Sequence, residues 1–450
     1  MRVCFTNLGC KLNQAELETL AREFHRAGHR VVASLEEADL HVVNTCTVTH
    51  RAARDSRKVA RRGSRRSPGL KTVLTGCYAT GSPEEAAALA GVDLVVPNGE
   101  KERLLERVHE AFPEWAPPAA APDTRRRASG LLPHGLLGFG NTRALVKIED
   151  GCNVGCAFCI IPSTRGRQQS RPLPGIVEEV RSMAAAGFRE VVVTGVQISH
   201  YRWQGRRLAD LVAALLAETS IPRIRLTSIA PWAFDRRLLE LWSDRRLCRH
   251  VHMSLQSGSD RTLSRMRRPY DSRSYGELVA EIRAAVPGVA VTTDVIVGFP
   301  GESEADFEAS LAFVAANGFA RTHVFPFSPR PGTEAAGLPD RVSPPEIKAR
   351  TAAMIESTAE AERSFRASHR GERVSVLWEE HRNGRWHGLT DNYLRVAASA
   401  PTGLDLSNVV SEARVVGLAE AGVVAELIGP AGRTGLPGLT RLGGRGAAAP

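Results

Sequence analysis

The first 112 residues alternate between two hydrophobic patterns. Four short apolar runs have the length of buried strands and occur at 2–8, 39–46, 71–78 and 92–98. Residues 15–28 instead carry apolar side chains at helical spacing, and Gly28 marks the end of that segment. Strands that alternate with helices predict a small α/β domain with a parallel sheet over residues 1–112.

The same alternation returns between residues 143 and 370. Six strand-like runs, with helical segments between them, occur at 144–148, 190–196, 223–229, 250–256, 289–299 and 322–328. Six consecutive β/α units predict a partial (β/α)6 barrel, again of the α/β class. Because the working residues of such barrels lie at the carboxyl ends of the strands, we expect chemistry at those ends.

The remaining segments have different compositions. Residues 113–142 are rich in Pro, Ala and Gly, which is typical of a linker. Residues 371–428 show short alternating runs separated by turn residues, and this pattern predicts a small β-barrel. Residues 429–450 consist largely of Gly, Ala, Arg and Pro, and we expect them to form a disordered tail.

Overall composition narrows the class of protein. With 43% hydrophobic and 24% charged residues, the chain has the make-up of an ordinary globular protein. No apolar run is long enough to cross a bilayer, and the first residues lack the apolar segment of a signal peptide. We therefore expect a cytoplasmic protein with no membrane partner. In that compartment, eight Cys residues indicate metal binding or catalysis rather than disulfides.

The charge balance favours a polyanionic partner. The chain has a net charge of +10 and an isoelectric point near 9.5, which suits nucleic acid. Within the predicted helix that follows Cys46, basic side chains recur at helical spacing and form one stripe: Arg54, Lys58, Arg61 and Arg65. Such stripes are as often solvated surfaces, but this one begins beside a candidate cysteine site, which favours contact with nucleic-acid phosphates.

Three cysteines in one short loop form the strongest local motif. Cys152, Cys156 and Cys159 have C-x3-C-x2-C spacing and follow the first strand of the predicted barrel. Three thiolates can hold three corners of a [4Fe–4S] cluster and leave the fourth iron open. A structural zinc site is the alternative, but it usually needs four ligands in two pairs. No fourth ligand lies close by in the sequence, so the spacing favours the open cluster.

Three further cysteines each follow a predicted strand of the first domain. Cys10, Cys46 and Cys77 are widely separated in sequence. Ligands of open parallel sheets bind beyond the carboxyl ends of the strands, so these three thiols are predicted to converge at one edge. Three unrelated buried thiols are the alternative. Cys4 and Cys248 lie outside both sets and are predicted to be core thiols.

The segment KIEDGCNVGCAFCIIPSTRGRQQSR at 147–171 resembles the signature of radical S-adenosylmethionine (SAM) enzymes. The resemblance implies that SAM binds the open iron and is cleaved to a 5′-deoxyadenosyl radical. Segments at later strand ends resemble the SAM pocket of that superfamily. The implied SAM-binding residues are Phe158, Gly195, Gln197, Ser254, Gln256 and Gly298. Members commonly have Glu where this chain has Gln168, so no role is assigned to that position.

The segments NLGCKLNQAE, NTCTVTHRAARDSR and LTGCY resemble the amino-terminal domain of methylthiotransferases. In that family the matching cysteines hold a second [4Fe–4S] cluster, which implies this role for Cys10, Cys46 and Cys77. The patterns G-C-K-L-N-Q and N-T-C-T-V-T are closest to the branch that modifies N6-threonylcarbamoyladenosine in tRNA. The carboxy-terminal segment HGLTDNYLRV resembles the RNA-binding TRAM domain, although a single barrel can also serve as a cap.

Together the resemblances imply an enzyme, a tRNA methylthiotransferase with two [4Fe–4S] clusters and SAM as cofactors. It would insert a methylthio group at C2 of N6-threonylcarbamoyladenosine at position 37, next to the anticodon. The implied partners are the tRNA anticodon loop and an electron donor such as flavodoxin or ferredoxin, and the sulfur donor is left open. Two alternatives stand beside this interpretation: action on isopentenyladenosine in tRNA, and a non-enzymatic tRNA-binding protein that contains zinc.

Overall fold

A computed structural model describes residues 1–48, 52–59, 69–116 and 142–428 of the 450-residue chain. The first domain contains a five-stranded sheet in the order β2-β1-β3-β4-β5, in which every neighbouring pair is parallel. Its strands are β1 (Arg2–Asn7), β2 (Arg30–Val32), β3 (Leu40–Thr45), β4 (Lys71–Gly76) and β5 (Leu94–Val96). The predicted α/β domain with a parallel sheet is confirmed, and the three-residue β2 is an addition.

Five α-helices lie in the described residues of this domain. They are α1 (Lys11–Arg26), α2 (52–59), α3 (Cys77–Gly81), α4 (Pro83–Ala87) and α5 (Leu104–Ala111). The apolar side of α1 carries Leu17, Leu20 and Phe24, which pack on β1 and β3 in the domain core. Burial of this one stripe holds α1 against the sheet and leaves its amino terminus at the carboxyl end of β1.

The central domain contains seven parallel strands in two sheets and one short antiparallel pair, β7 and β8. Its strands are β6 (Ala144–Lys147), β7 (Glu149–Asp150), β8 (Gln169–Ser170), β9 (Glu190–Thr194), β10 (Arg223–Leu226), β11 (Ser228–Ile229), β12 (His250–Met253), β13 (Ala290–Val297) and β14 (Arg321–Pro326). The sheet order is β6-β9-β10 and then β11-β12-β13-β14, with Thr227 alone between β10 and β11. The paired strands of these two sheets are parallel, which confirms the predicted partial barrel.

Eight helices accompany these strands. They are α6 (Ile161–Arg165), α7 (Leu173–Ala185), α8 (Leu208–Glu218), α9 (Arg237–Leu241), α10 (Asp260–Arg265), α11 (Ser272–Ala285), α12 (Glu304–Asn317) and α13 (Pro344–Ser368). The longest of them, α13, has Pro at its start as the sequence predicts. The largest apolar core of the molecule lies between these helices and the strands.

The third domain is a closed five-stranded barrel in the order β15-β16-β17-β19-β18. Its strands are β15 (Arg373–Arg382), β16 (Arg385–Thr390), β17 (Arg395–Ala398), β18 (Val410–Ala419) and β19 (Gly422–Leu427). Trp378 and Trp386 fill its core, and the Trp378 indole donates a 2.8 Å hydrogen bond to Ser411. The predicted small β-barrel is thereby confirmed.

The domain boundaries stay predictions, because most of the predicted linker and all of the predicted tail lie outside the described residues. Of the predicted linker, 117–141 lie outside the described residues, as does the predicted tail at 429–450. Pro113–Trp115 form a short 3-10 turn at the start of the linker. Within the described parts of the chain, no helix combines the length and the apolar character needed to cross a bilayer.

An arginine held by a buried ion pair of the central domain contacts the third domain. Arg225 on β10 and Glu190 on β9 are both fully buried and lie 2.6 Å apart. The same guanidinium donates to the backbone oxygens of Thr390 and Asp391, each at 2.9 Å. Although burial alone would raise the pKa of Glu190, the Arg225 charge and hydrogen bond hold it below its usual value. The turn that carries Tyr393 is therefore fixed against the central strands.

The buried contacts of Arg225 predict that its removal strongly lowers the stability of the protein. Arg225→Met should lower the free energy of unfolding by about 3–5 kcal/mol, because Glu190 would stay buried without its close partner. The measurement is urea unfolding followed by tryptophan fluorescence. The matched control is Arg237→Met. The Arg237 side chain is 52% exposed and pairs with Asp210 and Asp235 at the surface. Its removal should lower the free energy of unfolding by at most about 1 kcal/mol. Equal losses in the two variants would contradict the prediction.

Candidate functional site

The three amino-terminal cysteines lie at the carboxyl ends of three adjacent strands. Cys10 precedes α1 just beyond β1, Cys46 follows β3 directly, and Cys77 begins α3 directly after β4. Since β1, β3 and β4 are neighbours in the sheet, their ends bring these thiols to one edge. Burial raises the pKa of the Cys46 thiol to about 11, and charge on Cys77 and Cys10 adds to that rise.

One glycine is needed for this convergence. Gly76 has a φ of +97°, in the left-handed region that favours glycine. A Cβ at this position would collide with the side-chain oxygen of Asn44 and with the backbone of Thr45. The missing side chain therefore lets the end of β4, and with it Cys77, lie close against the end of β3.

The second cysteine set lies in a loop that is closed at both ends. The short strands β7 and β8 pair in antiparallel fashion and bracket the loop. Within it the Cys152 amide donates to the Gly166 carbonyl at 3.1 Å. Burial raises the pKa of the Cys159 thiol to about 12, with further contributions from charge on Cys156 and Cys152. The three thiols therefore share one small, partly buried region.

Donors surround the sulfur atoms of this loop. The Val154 amide lies 3.4 Å from Cys152 Sγ, and Arg268 Nη1 lies 3.2 Å from Cys156 Sγ. Hydrogen bonds to sulfur are among the features that tune iron–sulfur clusters.

Among the described residues, no three His, Cys, Asp or Glu side chains are grouped so as to hold a single metal ion. One set of three thiols lies at three neighbouring strand ends, and the other lies on a single loop. Three thiols are the donors that a [4Fe–4S] cluster with one open iron needs, so the residues of each set fit such a cluster.

A buried charge network lies between the two cysteine sets, and we call it the junction network. Its members are Asn13, Glu16, Lys101, Lys147, Asp150 and Arg165. Arg165 follows Cys159 on α6, and its side chain is 1% exposed. It contacts Glu16 at 2.8 Å, Asp150 at 2.9 Å and the Asn13 side-chain oxygen at 2.9 Å. That oxygen also accepts from the Cys10 thiol at 3.2 Å.

Asn98 provides a second link between the two sets. Its side-chain nitrogen donates to the backbone oxygen of Thr164 at 2.8 Å and lies 3.8 Å from Cys77 Sγ. Helices α3 and α6, which follow the two cysteine sets, pack against each other. The loop of Cys152, Cys156 and Cys159 therefore faces the amino-terminal sheet edge across direct contacts.

The sequence-predicted SAM residues lie at strand ends. Gly195 and Gln197 follow β9, Ser254 and Gln256 follow β12, and Gly298 follows β13. A Cβ at Gly195 would strike the Glu149 carboxylate, which accepts a 2.5 Å hydrogen bond from the Gln197 amide. Ser254 donates to Asp294 at 3.1 Å, and the Gln256 amide donates to the Asp294 carbonyl at 2.8 Å.

These residues do not all line one cavity. Gly195 borders the cavity that contains Cys10, whereas Gly298 borders a separate apolar groove along α13. Phe158 packs with Ala157, Met266 and Phe299 in a small apolar cluster near the second cysteine set. Their assignment to SAM stays a prediction.

Sequence reasoning missed Arg268, which joins two of these regions. Its guanidinium contacts Cys156 Sγ, lies 4.5 Å over the Trp232 ring and 5.2 Å over the Tyr270 ring, and donates to the Ser254 carbonyl at 3.4 Å. The aromatic rings hold the guanidinium in place by cation–π contact. The local sequence around Arg268 is R-R-P-Y after a short helix. This pattern does not by itself indicate a function.

Part of the predicted basic stripe is described. Arg54 and Lys58 are exposed on α2. The helix is held next to Cys46, because Ser56 donates to the Cys46 carbonyl at 3.1 Å and accepts from the Cys46 amide at 3.2 Å. Arg61 and Arg65 lie outside the described residues. A role of the stripe in RNA binding stays a prediction.

Two family models match the chain. The model of the Radical SAM superfamily matches residues 146–314, which include the second cysteine set. The model described as Uncharacterized protein family UPF0004 matches residues 2–97, which include the first. Each candidate set therefore lies inside a separate matched region.

Curated relatives match most of the chain. The threonylcarbamoyladenosine tRNA methylthiotransferase MtaB of Aquifex aeolicus is 37% identical over 399 residues, or 88% of this chain and 96% of the relative. The Bacillus subtilis protein of the same name is 35% identical over 88% of this chain and 89% of its own length. The tRNA-2-methylthio-N(6)-dimethylallyladenosine synthase of an Anaeromyxobacter species is 36% identical over 74% and 73%.

A solved structure supports the fold. The radical S-adenosylmethionine methyltransferase TsrM from Kitasatospora setae aligns with a TM-score of 0.57 and 18% identity, over 74% of this chain and 77% of that one. At this identity the likeness concerns the fold alone.

Proposed function

The chain belongs to the radical SAM methylthiotransferase family, and on that premise we propose that it inserts a methylthio group at C2 of N6-threonylcarbamoyladenosine at position 37 of tRNA. Relatives named for this substrate cover 82–94% of the chain. Relatives named for the dimethylallyl substrate cover about three quarters of it. Both branches are enzymes, which argues against a non-enzymatic zinc protein.

One observation carries the proposal. The two cysteine sets, in separate domains, face each other across the junction network. A reaction that both activates a C–H bond and delivers sulfur needs two reactive centres near one substrate atom. The contacts through Asn13, Arg165 and Asn98 keep the two loops at a fixed separation.

We assign one [4Fe–4S] cluster to each set. Cys152, Cys156 and Cys159 would hold the cluster that binds SAM, and Cys10, Cys46 and Cys77 would hold the second. When bound, the first cluster would supply a SAM-derived radical, and the second would supply an iron that carries sulfur. The cofactors would carry out this chemistry. The protein positions them and the base.

The surrounding residues have supporting roles in this proposal. Arg268 donates a hydrogen bond to the Cys156 sulfur, a kind of contact that tunes iron–sulfur clusters. Its contacts with Trp232, Tyr270 and the Ser254 carbonyl orient the loop toward the ends of the central strands. The strand-end residues Gly195, Gln197, Ser254, Gln256 and Gly298, with Phe158, would bind SAM there.

The RNA partner is the anticodon loop of tRNA, whose bases can be splayed out for recognition. The β-barrel of the third domain and the exposed Arg54 and Lys58 of α2 offer surfaces for the RNA backbone. We also propose an electron donor such as flavodoxin or ferredoxin, and a cytoplasmic location, where tRNA is modified. The excess of basic residues, +10 overall, fits this partner.

The proposed substrate can be tested directly. Anaerobically reconstituted enzyme is offered anticodon stem-loops that carry either threonylcarbamoyladenosine or isopentenyladenosine, and the nucleosides are analysed by mass spectrometry. Methylthiolation of the threonylcarbamoyl stem-loop is the expected result. Product from the isopentenyl stem-loop alone would move the protein to the other branch and leave the fold and the clusters unaffected.

The two cysteine sets should separate functionally. Changing Cys152, Cys156 and Cys159 to Ala should abolish SAM cleavage, because the open iron that binds SAM is removed. Changing Cys10, Cys46 and Cys77 to Ala should leave SAM cleavage and remove the methylthiolated product. Each triple variant should lose about half of the bound iron. The control Cys4→Ala removes a buried thiol outside both sets and should retain iron and product. A methylthiolated product from the amino-terminal triple variant would contradict the assignment.

Arg165→Lys tests whether the junction network couples the two sets. A lysine ammonium is a compact point charge and cannot reproduce the fork that reaches Glu16, Asp150 and Asn13 together. Product formed per SAM cleaved should therefore fall, while iron content is retained. The control is Arg181→Lys on α7, a half-exposed partner of Glu218. A wild-type ratio of product to 5′-deoxyadenosine in Arg165→Lys would show that the network has no coupling role.

The basic side of α2 should contribute RNA affinity by neutralising phosphates. The double variant Arg54→Gln, Lys58→Gln should flatten the salt dependence of tRNA binding by about 0.7–0.9 in log–log slope for each phosphate that is no longer neutralised. Fluorescence anisotropy over a salt series measures that slope. The control Arg273→Gln, Arg363→Gln removes the same charge from exposed positions elsewhere. If both double variants show the wild-type slope, α2 faces only solvent.

A further inference from the structure

A cavity of about 290 Å³ lies where all three domains meet. The amino-terminal domain contributes 10–12, which include Cys10 and Lys11, and the third domain contributes Tyr393. The ends and inner faces of the central strands contribute the rest, including Thr227 and His250. The cavity therefore lies directly beside a cysteine that we assign to a cluster. Its volume is near the lower limit of small-molecule pockets, roughly 300 Å³, so it fits a substituent of a base rather than a whole nucleotide.

Lys11 gives this cavity a cation. Among the described residues that line the cavity, it is the one Lys or Arg. Its side chain is exposed, and its ammonium lies 5.5 Å from the centre of the Tyr393 ring. The ring is itself fixed, because it stacks on His250 at 4.3 Å with an interplanar angle of 10° and lies 5.2 Å from the Arg225 guanidinium. Tyr393 thus keeps the Lys11 charge at the mouth of the cavity.

Two buried polar atoms, which belong to residues that line the cavity, have no hydrogen-bond partner. They are His250 Nδ1 and Thr227 Oγ1, both buried, as judged within the described parts of the chain. The other ring nitrogen of His250 is bonded to Thr292 at 3.0 Å, so the imidazole is held in position with Nδ1 unused. Burial lowers the pKa of His250 well below its usual value, which keeps the ring neutral. The fixed and neutral imidazole gives the Tyr393 ring a rigid surface on which to stack.

We propose that this cavity holds the amino-acid substituent of the target adenosine, and that the Lys11 ammonium binds its carboxylate. The inference rests on the proposed function and names the side chain that would select the substrate. The threonylcarbamoyl group offers one anionic carboxylate, a hydroxyl and a urea-type amide. A prenyl group has no carboxylate and would displace water from around the Lys11 ammonium without pairing it, so the site should favour the threonylcarbamoyl group.

The experiment compares two anticodon stem-loops that differ in one charge. One carries threonylcarbamoyladenosine, and the other carries its methyl ester, in which the carboxylate is neutral. Binding to reconstituted enzyme without SAM is measured by fluorescence anisotropy, and methylthiolation is measured separately. Wild-type enzyme should bind the acid about tenfold or more tightly than the ester, since a charge-assisted hydrogen bond contributes an effect of that size.

Lys11→Met keeps the length of the side chain and removes its charge. In this variant the Kd for the acid should rise to that for the ester, so that the preference disappears. Lys11→Arg keeps a cation at the same place and should retain most of the preference. Lys348→Met, which removes an exposed lysine from α13, should retain the full preference. Iron content and urea unfolding are compared for all variants, so that loss of the cluster beside Lys11 is detected.

The outcomes separate the inference from the function on which it rests. Equal binding of acid and ester by wild-type enzyme that still methylthiolates the acid would overturn the inference and leave the proposed function intact. A full preference in Lys11→Met would overturn the role of Lys11 in the same way. Failure of wild-type enzyme to methylthiolate any threonylcarbamoyl stem-loop would overturn the proposed function and the inference with it.

Discussion

The buried contacts of Arg165 hold the two halves of the site together. Glu16 from the amino-terminal domain lies among Lys101, Lys147 and Arg165, and its pKa is held well below its usual value by these cations although burial opposes this. Breaking a buried ion pair by removing one partner is costly, because the other charge is left without compensation. Arg165 and Lys147 of the central domain reach Glu16 of the first domain, and Arg165 also reaches Asn13, so the network fixes the relation between the two cysteine loops.

This constraint explains why the cavity beside Cys10 can exist at all. Its wall comes from three domains, and each contribution depends on a separate buried contact. The junction network places Cys10 and Lys11, whereas Arg225, paired with Glu190, holds the turn that carries Tyr393. A small rotation of either domain would open the cavity and separate Lys11 from the Tyr393 ring. In our proposal, specificity for the substituent of the base therefore depends on interdomain rigidity rather than on a single loop.

Local patterns in the sequence were sufficient for much of this architecture. Strand and helix periodicity predicted β1, β3, β4 and β5, and the order of the strands implied that Cys10, Cys46 and Cys77 would share an edge. The three-residue β2 was too short to show a pattern. The junction network could not be predicted, because its partners are far apart in the chain: Glu16 and Arg165 are separated by 149 positions, and Glu16 and Lys101 by 85. Tyr393 and Arg268 likewise gain their meaning only from tertiary contacts.

The choice of basic residue at the junction has a physical reason. Six of the 59 basic residues are lysine, and Lys11, Lys101 and Lys147 are all at or beside the junction. Lys101 is buried, and its ammonium has acceptors in Glu16 at 2.6 Å and Asn44 at 3.4 Å. An ammonium has three donors, whereas a guanidinium has five in a rigid fork, so arginine at this position would leave buried donors unpaired. Arg165 has the opposite geometry, with three separate acceptors arranged around its fork. The two kinds of cation are thus matched to the number and direction of the acceptors that each one meets.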